Sequence, residues 1–201
     1  ECEMVYQLGA KHIMYAYPSA NPVNIRRLLP FAKDAELIIR LDTVRAAEIL
    51  NSEAEKAGVI VSYTVIVDMD FHRFGMPADA VVDFVKTLPS LKNLKFRGIS
   101  THPGQVYGCT TRAALEEVAK LEKDTMKRAA DALAAAGFPC EIISSGSTPT
   151  FEIAVKDKTL NVSHPGNYTF FDNIQISLGT CGEDACSLRV LATVVSHPSE
   201  G

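Results

Sequence analysis

The sequence predicts an α/β fold: a parallel (β/α)8 TIM-type barrel with about six of its eight strands present, followed by the start of a β domain. Three observations carry this. Short runs rich in Val, Ile, Leu and Tyr alternate strictly with longer amphipathic stretches, in the order β-α-β-α-β-α-β-α-β-α-β. One of those runs, residues 59–69, is apolar almost throughout, as a strand covered on both faces must be. Two turns rich in Ser, Gly, Thr and Asn follow the last two strands, where barrels of this kind commonly hold phosphate.

The elements follow in order. Residues 2–10 read as the second half of a helix stopped by Gly9, and residues 12–17 as the first visible strand. Pro18 to Pro22 is a loop. Residues 23–32 are helical, with Ile25, Leu28 and Leu29 on one face. Residues 36–41 form the next strand; Asp42 or Thr43 then caps a helix that runs to about Ala57 and closes at Gly58. After the apolar strand at 59–69, Pro77 opens a helix that ends before Pro89. Residues 96–101 are a strand leading into the loop HPGQVYG. A long helix over residues 111–136 stops at Gly137-Phe138-Pro139. Ile142 and Ile143 end a buried strand, a helix starts at Thr150, and a last short strand begins near Asn161.

Beyond Tyr168 the pattern changes. Residues 173–178 and 188–196 read as strands joined by a loop at 179–187, with no helix between them. The expected division is therefore a barrel portion at 1–171 and the beginning of a β domain at 172–201. A full barrel takes roughly 250 residues. With 201 residues and no initiating Met, the chain is expected to be part of a longer protein whose missing strands lie upstream.

A composition of 47% hydrophobic and 22% charged residues is that of a globular chain with a sizeable core. A net charge of −4 gives no reason to expect nucleic acid or an anionic membrane as partner. No apolar run is long enough to span a bilayer. Five cysteines, odd in number and without a CxxC pair, read as free thiols in a reducing, cytoplasmic setting.

The chemistry is expected at the carboxyl ends of the strands. The polar residues there are Tyr15 and Tyr17; Arg40 and Asp42; Asp68, Asp70, His72 and Arg73; Thr101, His102, Gln105 and Tyr107; Ser144 to Thr148; and His164, Asn167 and Tyr168. The stretch EIISSGSTPT (141–150) is the organising one. It places Gly146, Ser147 and Thr148 at a strand-to-helix turn, offering free N–H groups and hydroxyls to an anion. NVSHPGNY (161–168) adds His164, Gly166, Asn167 and Tyr168 beside it. Either turn alone could be an ordinary loop; their adjacency on one barrel face favours phosphate. Arg73 is then a fixed cation at the mouth or a surface ion-pair partner, and His102 a site residue or part of a tight turn. No HxH, HExxH or His/Cys pair stands at metal-ligand spacing, so no metal site is expected in this chain. There is also no GxGxxG, Walker loop or GxSxG elbow.

The pieces YAYP, VDMDFHRFG, GISTHPGQVYG, ISSGSTPT and SHPGNYTFFD, in that order, resemble the fold-type III pyridoxal-phosphate enzymes. Within them the chain is most similar to the D-threonine aldolase / D-serine dehydratase group, the alanine racemase-like family. The resemblance implies a barrel that holds pyridoxal 5'-phosphate, with the phosphate at Gly146, Ser147, Thr148, Gly166, Asn167 and Tyr168. It puts Arg73 near the cofactor's phenolic oxygen, His102 near the ring, and His164 where alanine racemases carry an arginine facing the pyridine nitrogen. It implies a lyase acting on a D-3-hydroxy amino acid, with a divalent metal whose ligands lie outside this chain; a homodimer is an assembly it allows. The alternatives are an amino-acid racemase of the same fold and a non-catalytic pyridoxal-phosphate-binding protein. Two departures stand out. Gln105 occupies a position where group members often carry a second His. The Schiff-base lysine, which the resemblance places upstream of Glu1, is not among the lysines present.

Overall fold

Aliphatic and β-branched runs that cannot be left in water form a single parallel sheet in the computed structural model, which describes residues 1–156 and 158–196. Its strands are β1 (His12–Tyr15), β2 (Glu36–Leu41), β3 (Val61–Val67), β4 (Leu94–Thr101), β5 (Ile142–Ser145) and β6 (Val162–Ser163). All six lie side by side in chain order, every neighbouring pair parallel, in a curled sheet that makes up part of a (β/α)8 barrel. Helices α1 (Cys2–Gln7), α2 (Pro22–Leu28), α3 (Val44–Ala57), α4 (Val81–Lys86), α5 (Arg112–Ala135) and α6 (Thr148–Ala154) precede or connect the strands. The β-α alternation predicted above is therefore the observed one.

Local chemistry sets the helix ends. Thr43, rather than Asp42, caps α3: its Oγ1 accepts from the Ala46 N–H at 3.2 Å. Thr111 does the same for α5 through Ala114. The inward face of α3 is Ala46, Ala47, Leu50 and Ala54, the i, i+3, i+4 stripe of an amphipathic helix, and all four are buried. The core between sheet and helices is aliphatic: Ile39, Leu41, Val61, Val65, Ile99, Met126 and Leu133 are completely or almost completely buried.

A bulge in β4 matters for the site. Tyr63 pairs with Phe96 but Thr64 pairs with Gly98, so Arg97 is an extra residue on that strand. Because side chains alternate across a strand, the extra residue re-phases everything after it. Ser100 thereby meets Arg40 and Thr64, while Thr101 Oγ1 donates to the Val67 carbonyl at 2.8 Å. Gly98 is the residue that permits this. Its φ is 140°, and a Cβ there would run into the Ile142 carbonyl of the neighbouring strand. Gly98→Ala is expected to cost about 3 kcal/mol or more, read as a lowered denaturant midpoint. A midpoint equal to wild type would show that the bulge carries no such constraint.

The region after β6 departs from expectation. Residues 173–178 were expected as a strand because Ile174 and Ile176 alternate with polar residues. They form a short helix instead, α7 (Asn173–Ser177), capped by Asp172, whose Oδ1 accepts from the Gln175 N–H at 3.1 Å. The side chain that is buried is Gln175, while Ile174 is exposed, so the alternation never marked an inward face. Residues 188–196 were also expected as a strand. They join no strand among the described residues, and Leu188, Val190, Leu191, Val194 and Val195 are exposed. Without a partner edge, an extended run has no ladder to join. The end of the expected β domain, residues 197–201, lies outside the described residues. Among the described residues no helix is long and apolar enough to cross a membrane.

Candidate active site

The carboxyl ends of the strands surround a cleft of about 250 Å³, lined by residues of β2, of the loops after β1, β3 and β4, and of the turns after β5 and β6. His102, Arg73, Gly146, Ser147, Thr148, His164, Gly166 and Asn167, all expected at the site, line it together. Tyr168 does not. It sits in the 3₁₀ turn Asn167–Thr169, where Asn167 faces the cleft and the next side chain is carried outward, and it is 57% exposed. His72 also stays away: its Nδ1 lies 3.0 Å from Asp68 Oδ2 in an exposed pair. Gln105 is outside the lining as well.

The turn after β5 is arranged around an acceptor-seeking concavity. Ser147 is the N-cap residue of α6, yet its side chain makes no capping bond, and its Oγ is buried without a partner. Among the described residues no acceptor takes the N–H groups of Ser147 and Thr148. Thr148 Oγ1 accepts from the Asn167 N–H at 3.1 Å, which ties the two turns together. Asn167 in turn donates through Nδ2 to Asp172 Oδ2 at 2.7 Å. Behind the turn, Ser145 Oγ donates to Glu122, a buried carboxyl on α5 whose pKa is raised by that burial. Glu122 was not singled out in the sequence, although it interrupts the apolar stripe of Leu115, Ala119 and Met126 on the inward face of α5.

Gly146 lies between two histidines. His102 Nδ1 donates to its carbonyl, and its Cα faces His164 so closely that an added Cβ would strike the His164 ring and backbone. Since a carbonyl can only accept, Nδ1 of His102 carries the proton and Nε2 of the neutral ring is an acceptor. Burial holds the His102 pKa below its ordinary value; the Gly146 carbonyl opposes this and the Arg73 and Arg40 guanidiniums add to it. His164 is more perturbed. Burial first, then Arg40 and His102, push it down to about 3, against the Thr101 carbonyl. Its Nδ1 is hydrogen-bonded to Ser144 Oγ at 2.7 Å. Both imidazoles are neutral at pH 7.

Arg73 is held over the mouth by aromatic faces: its Cζ lies 4.4 Å from the Phe74 centroid, 5.2 Å from Phe71 and 5.7 Å from Tyr17. The loop that carries it is forced into shape. Asp70 and His72 have φ of 63° and 54°, and Asp68 Oδ1 accepts from the Phe71 and His72 N–H groups at 3.1 Å each. Among the described residues no Asp, Glu or Lys lines the cleft. The described residues contain no group of three His, Cys, Asp or Glu able to hold a metal. The arrangement is thus a cationic cleft, without carboxylates among the described residues, that has unengaged N–H and hydroxyl donors at one end and two neutral imidazoles within it.

Six parallel strands in a curled sheet with helices between them, and a cleft at the strand ends, define the class: an α/β barrel of the TIM type. The chain belongs to the family described as alanine racemase, N-terminal domain, whose model matches residues 18–173. It is 32% identical over 205 residues to D-threo-3-hydroxyaspartate dehydratase of Delftia sp. (strain HT23), covering 100% of this chain and 53% of that protein. It is 31% identical over 141 residues to D-serine dehydratase of Dictyostelium discoideum, covering 65% of this chain and 35% of that one. With 3-hydroxy-D-aspartate aldolase of Paracoccus denitrificans (strain Pd 1222) the identity is 28% over 208 residues, 98% of this chain and 53% of the relative. The solved structure of the Delftia dehydratase superposes with a TM-score of 0.86 at 31% identity, over 97% of this chain and 52% of that one. The chain spans about half the length of the curated relatives it matches.

Proposed function

We propose that this chain supplies the cofactor-holding portion of a pyridoxal-phosphate-dependent lyase acting on a D-3-hydroxy amino acid, as a dehydratase or an aldolase. The observation that carries the reading is the turn at 146–148: a buried hydroxyl without a partner and two N–H groups without acceptors, in a cleft free of carboxylates. That donor set fits a phosphate dianion. The relatives' names, two dehydratases and an aldolase of D-amino acids bearing a 3-hydroxyl, support the substrate class.

In this reading the residues divide by task. Ser147 and Thr148 take the phosphate through hydroxyl and N–H groups, and the Thr148–Asn167 bond keeps the second turn against the first. Arg73, pinned by three rings, offers a fixed cation to an anionic oxygen at the mouth. His102 presents a neutral Nε2 able to take a proton from a group beside it. His164 faces the ligand as an uncharged ring. When bound, pyridoxal phosphate supplies an electron sink for the bond broken at the substrate's Cα. The Schiff-base lysine and a divalent metal assisting the 3-hydroxyl belong, in this proposal, to the remainder of the full-length protein; one similar structure is of a mutant D-threo-3-hydroxyaspartate dehydratase in a metal-free form. The boundary proposed between barrel and second domain, 171/172, falls next to the end of the family match at 173.

The test is titration of the full-length protein with pyridoxal 5'-phosphate, followed by its absorbance band. Ser147→Val is expected to weaken binding ten- to hundredfold, since a buried hydrogen bond to a charged group is worth about 1.5–3 kcal/mol. Equal affinity in the variant would remove the turn from the site, and no binding by wild type would remove the cofactor.

A further inference from the structure

We propose that Arg40 is a ligand-binding residue of this cleft: its guanidinium donates to an anionic oxygen of the bound molecule, distinct from the phosphate held at Ser147 and Thr148. The cleft therefore takes a ligand assembly with two separated anionic groups. This rests on the cofactor reading above and adds to it a residue that neither the sequence resemblance nor the phosphate turn assigns.

Arg40 stands on β2, points to the inside of the sheet and is 2% exposed. Its Nε donates to Ser100 Oγ at 2.8 Å, and Thr64 Oγ1 donates to the same oxygen at 3.3 Å. Both of those hydroxyl residues are fully buried, so the guanidinium plane is fixed from one side by two strands. Its Nη2, in contrast, is buried with no partner. No salt bridge engages Arg40 among the described residues, and no carboxylate lines the cleft to which Arg40 belongs. An arginine does not escape burial by giving up its proton at neutral pH; burial and then Arg73 act against it, the Asp42 carboxylate opposes them, and its pKa comes down only to about 10. A buried, permanently charged fork with no carboxylate in hydrogen-bond reach, Asp42 acting on it only at longer range, is unfavourable to fold around unless something else brings negative charge to it. A structural guanidinium would be paired within the protein. This one is positioned by neutral hydroxyls in a residue that lines the cleft.

Two sources fit the same chemistry: the ring oxygen of the cofactor or a carboxylate of the amino-acid substrate. Full-length wild type, Arg40→Met and Arg40→Lys are compared with three probes. These are inorganic phosphate, pyridoxal 5'-phosphate, and steady-state KM for a D-3-hydroxy amino acid, D-threo-3-hydroxyaspartate. The proposal expects phosphate affinity within threefold of wild type in both variants. If the oxygen is the cofactor's, R40M weakens pyridoxal-phosphate binding at least tenfold, with R40K between the two. If it is the substrate's, cofactor affinity is kept and KM rises at least tenfold in R40M. Unchanged cofactor affinity together with unchanged KM overturns the proposal. So does a parallel loss of phosphate and cofactor affinity, which would mean that Arg40 only holds the cleft's shape. Should R40M fail to fold, R40K alone decides on the same criteria, since it keeps the charge and stem but loses the fork. Wild type that binds phosphate but not pyridoxal phosphate would sink the cofactor reading itself and is recognised before any variant is compared.

Discussion

Gly146→Val unfolds at a temperature lower by on the order of 10 °C and loses the cleft in the same step. The sequence alone suggests a milder outcome, an added Cβ blocking the approach of phosphate to an otherwise intact barrel. The geometry says otherwise. The Cβ position of residue 146 points at His164, and the atoms it meets include the His164 carbonyl group, which no rotamer change can move. The same glycine's carbonyl accepts from His102, so displacing it disturbs both histidines. β6 is only two residues long and is held to β5 at Ser144 and Ser145; it gives way first. Overpacking against backbone costs about 3 kcal/mol or more, and in a chain of this length each kcal/mol moves Tm by roughly 2–4 °C. Thermal unfolding with the wild type alongside checks this. A variant with native Tm and lost ligand binding would restore the simpler explanation.

The second large effect is on pH. His164 is neutral in the folded protein with its pKa pushed from 6.5 to about 3, so between those values the unfolded chain binds a proton that the folded chain refuses. Stability is therefore full above the ordinary histidine pKa and declines as pH falls from about 6.5 toward 3. Between pH 7 and pH 4.5 the loss attributable to His164 is about 3 kcal/mol. His102, shifted in the same direction, adds to it with the same sign. Carboxylates titrate in this window too, so the informative quantity is a difference. His164→Asn keeps a polar group for Ser144 but cannot take up the proton. Urea midpoints at pH 7 and 4.5 should converge for the variant and diverge for wild type, and identical pH slopes in the two proteins would show that His164 is not a buried neutral group.

Much of this was legible residue by residue. The six strands came from composition and alternation, because a strand flanked by helices on a parallel sheet leaves an uninterrupted apolar run such as that in β3. The helix start at Thr43 was narrowed to two adjacent candidates, and only the hydrogen bond to Ala46 chose between them. The turn at 146–148 was readable from its residue types as a strand-to-helix turn, but Ser, Gly, Thr and Pro also make ordinary loops, so it needed the neighbouring turn at 164–168 to point to an anion. What failed was local pattern without a partner. Ile174 and Ile176 alternate as a strand would, but Asp172 offers a helix cap and the buried residue is Gln175. Arg40 was visible as a polar residue near a strand end and no more. Asp42 stands two residues away and acts on its charge, but the partner its Nε finds, Ser100, is 60 residues distant, and what lines the cleft is set by several strands together.

The amino-acid sequence by itself determined the parallel β/α order and the chemistry offered at the strand ends, since both follow from residue type and spacing along one chain. The tertiary structure decided which of those groups meet. The bulge at Arg97 turns Ser100 toward Arg40, the small Gly146 admits His164, and burial leaves both imidazoles neutral and one guanidinium unpaired. Charge state and pairing depend on what surrounds a group in space, and that is set by strands far apart in the chain.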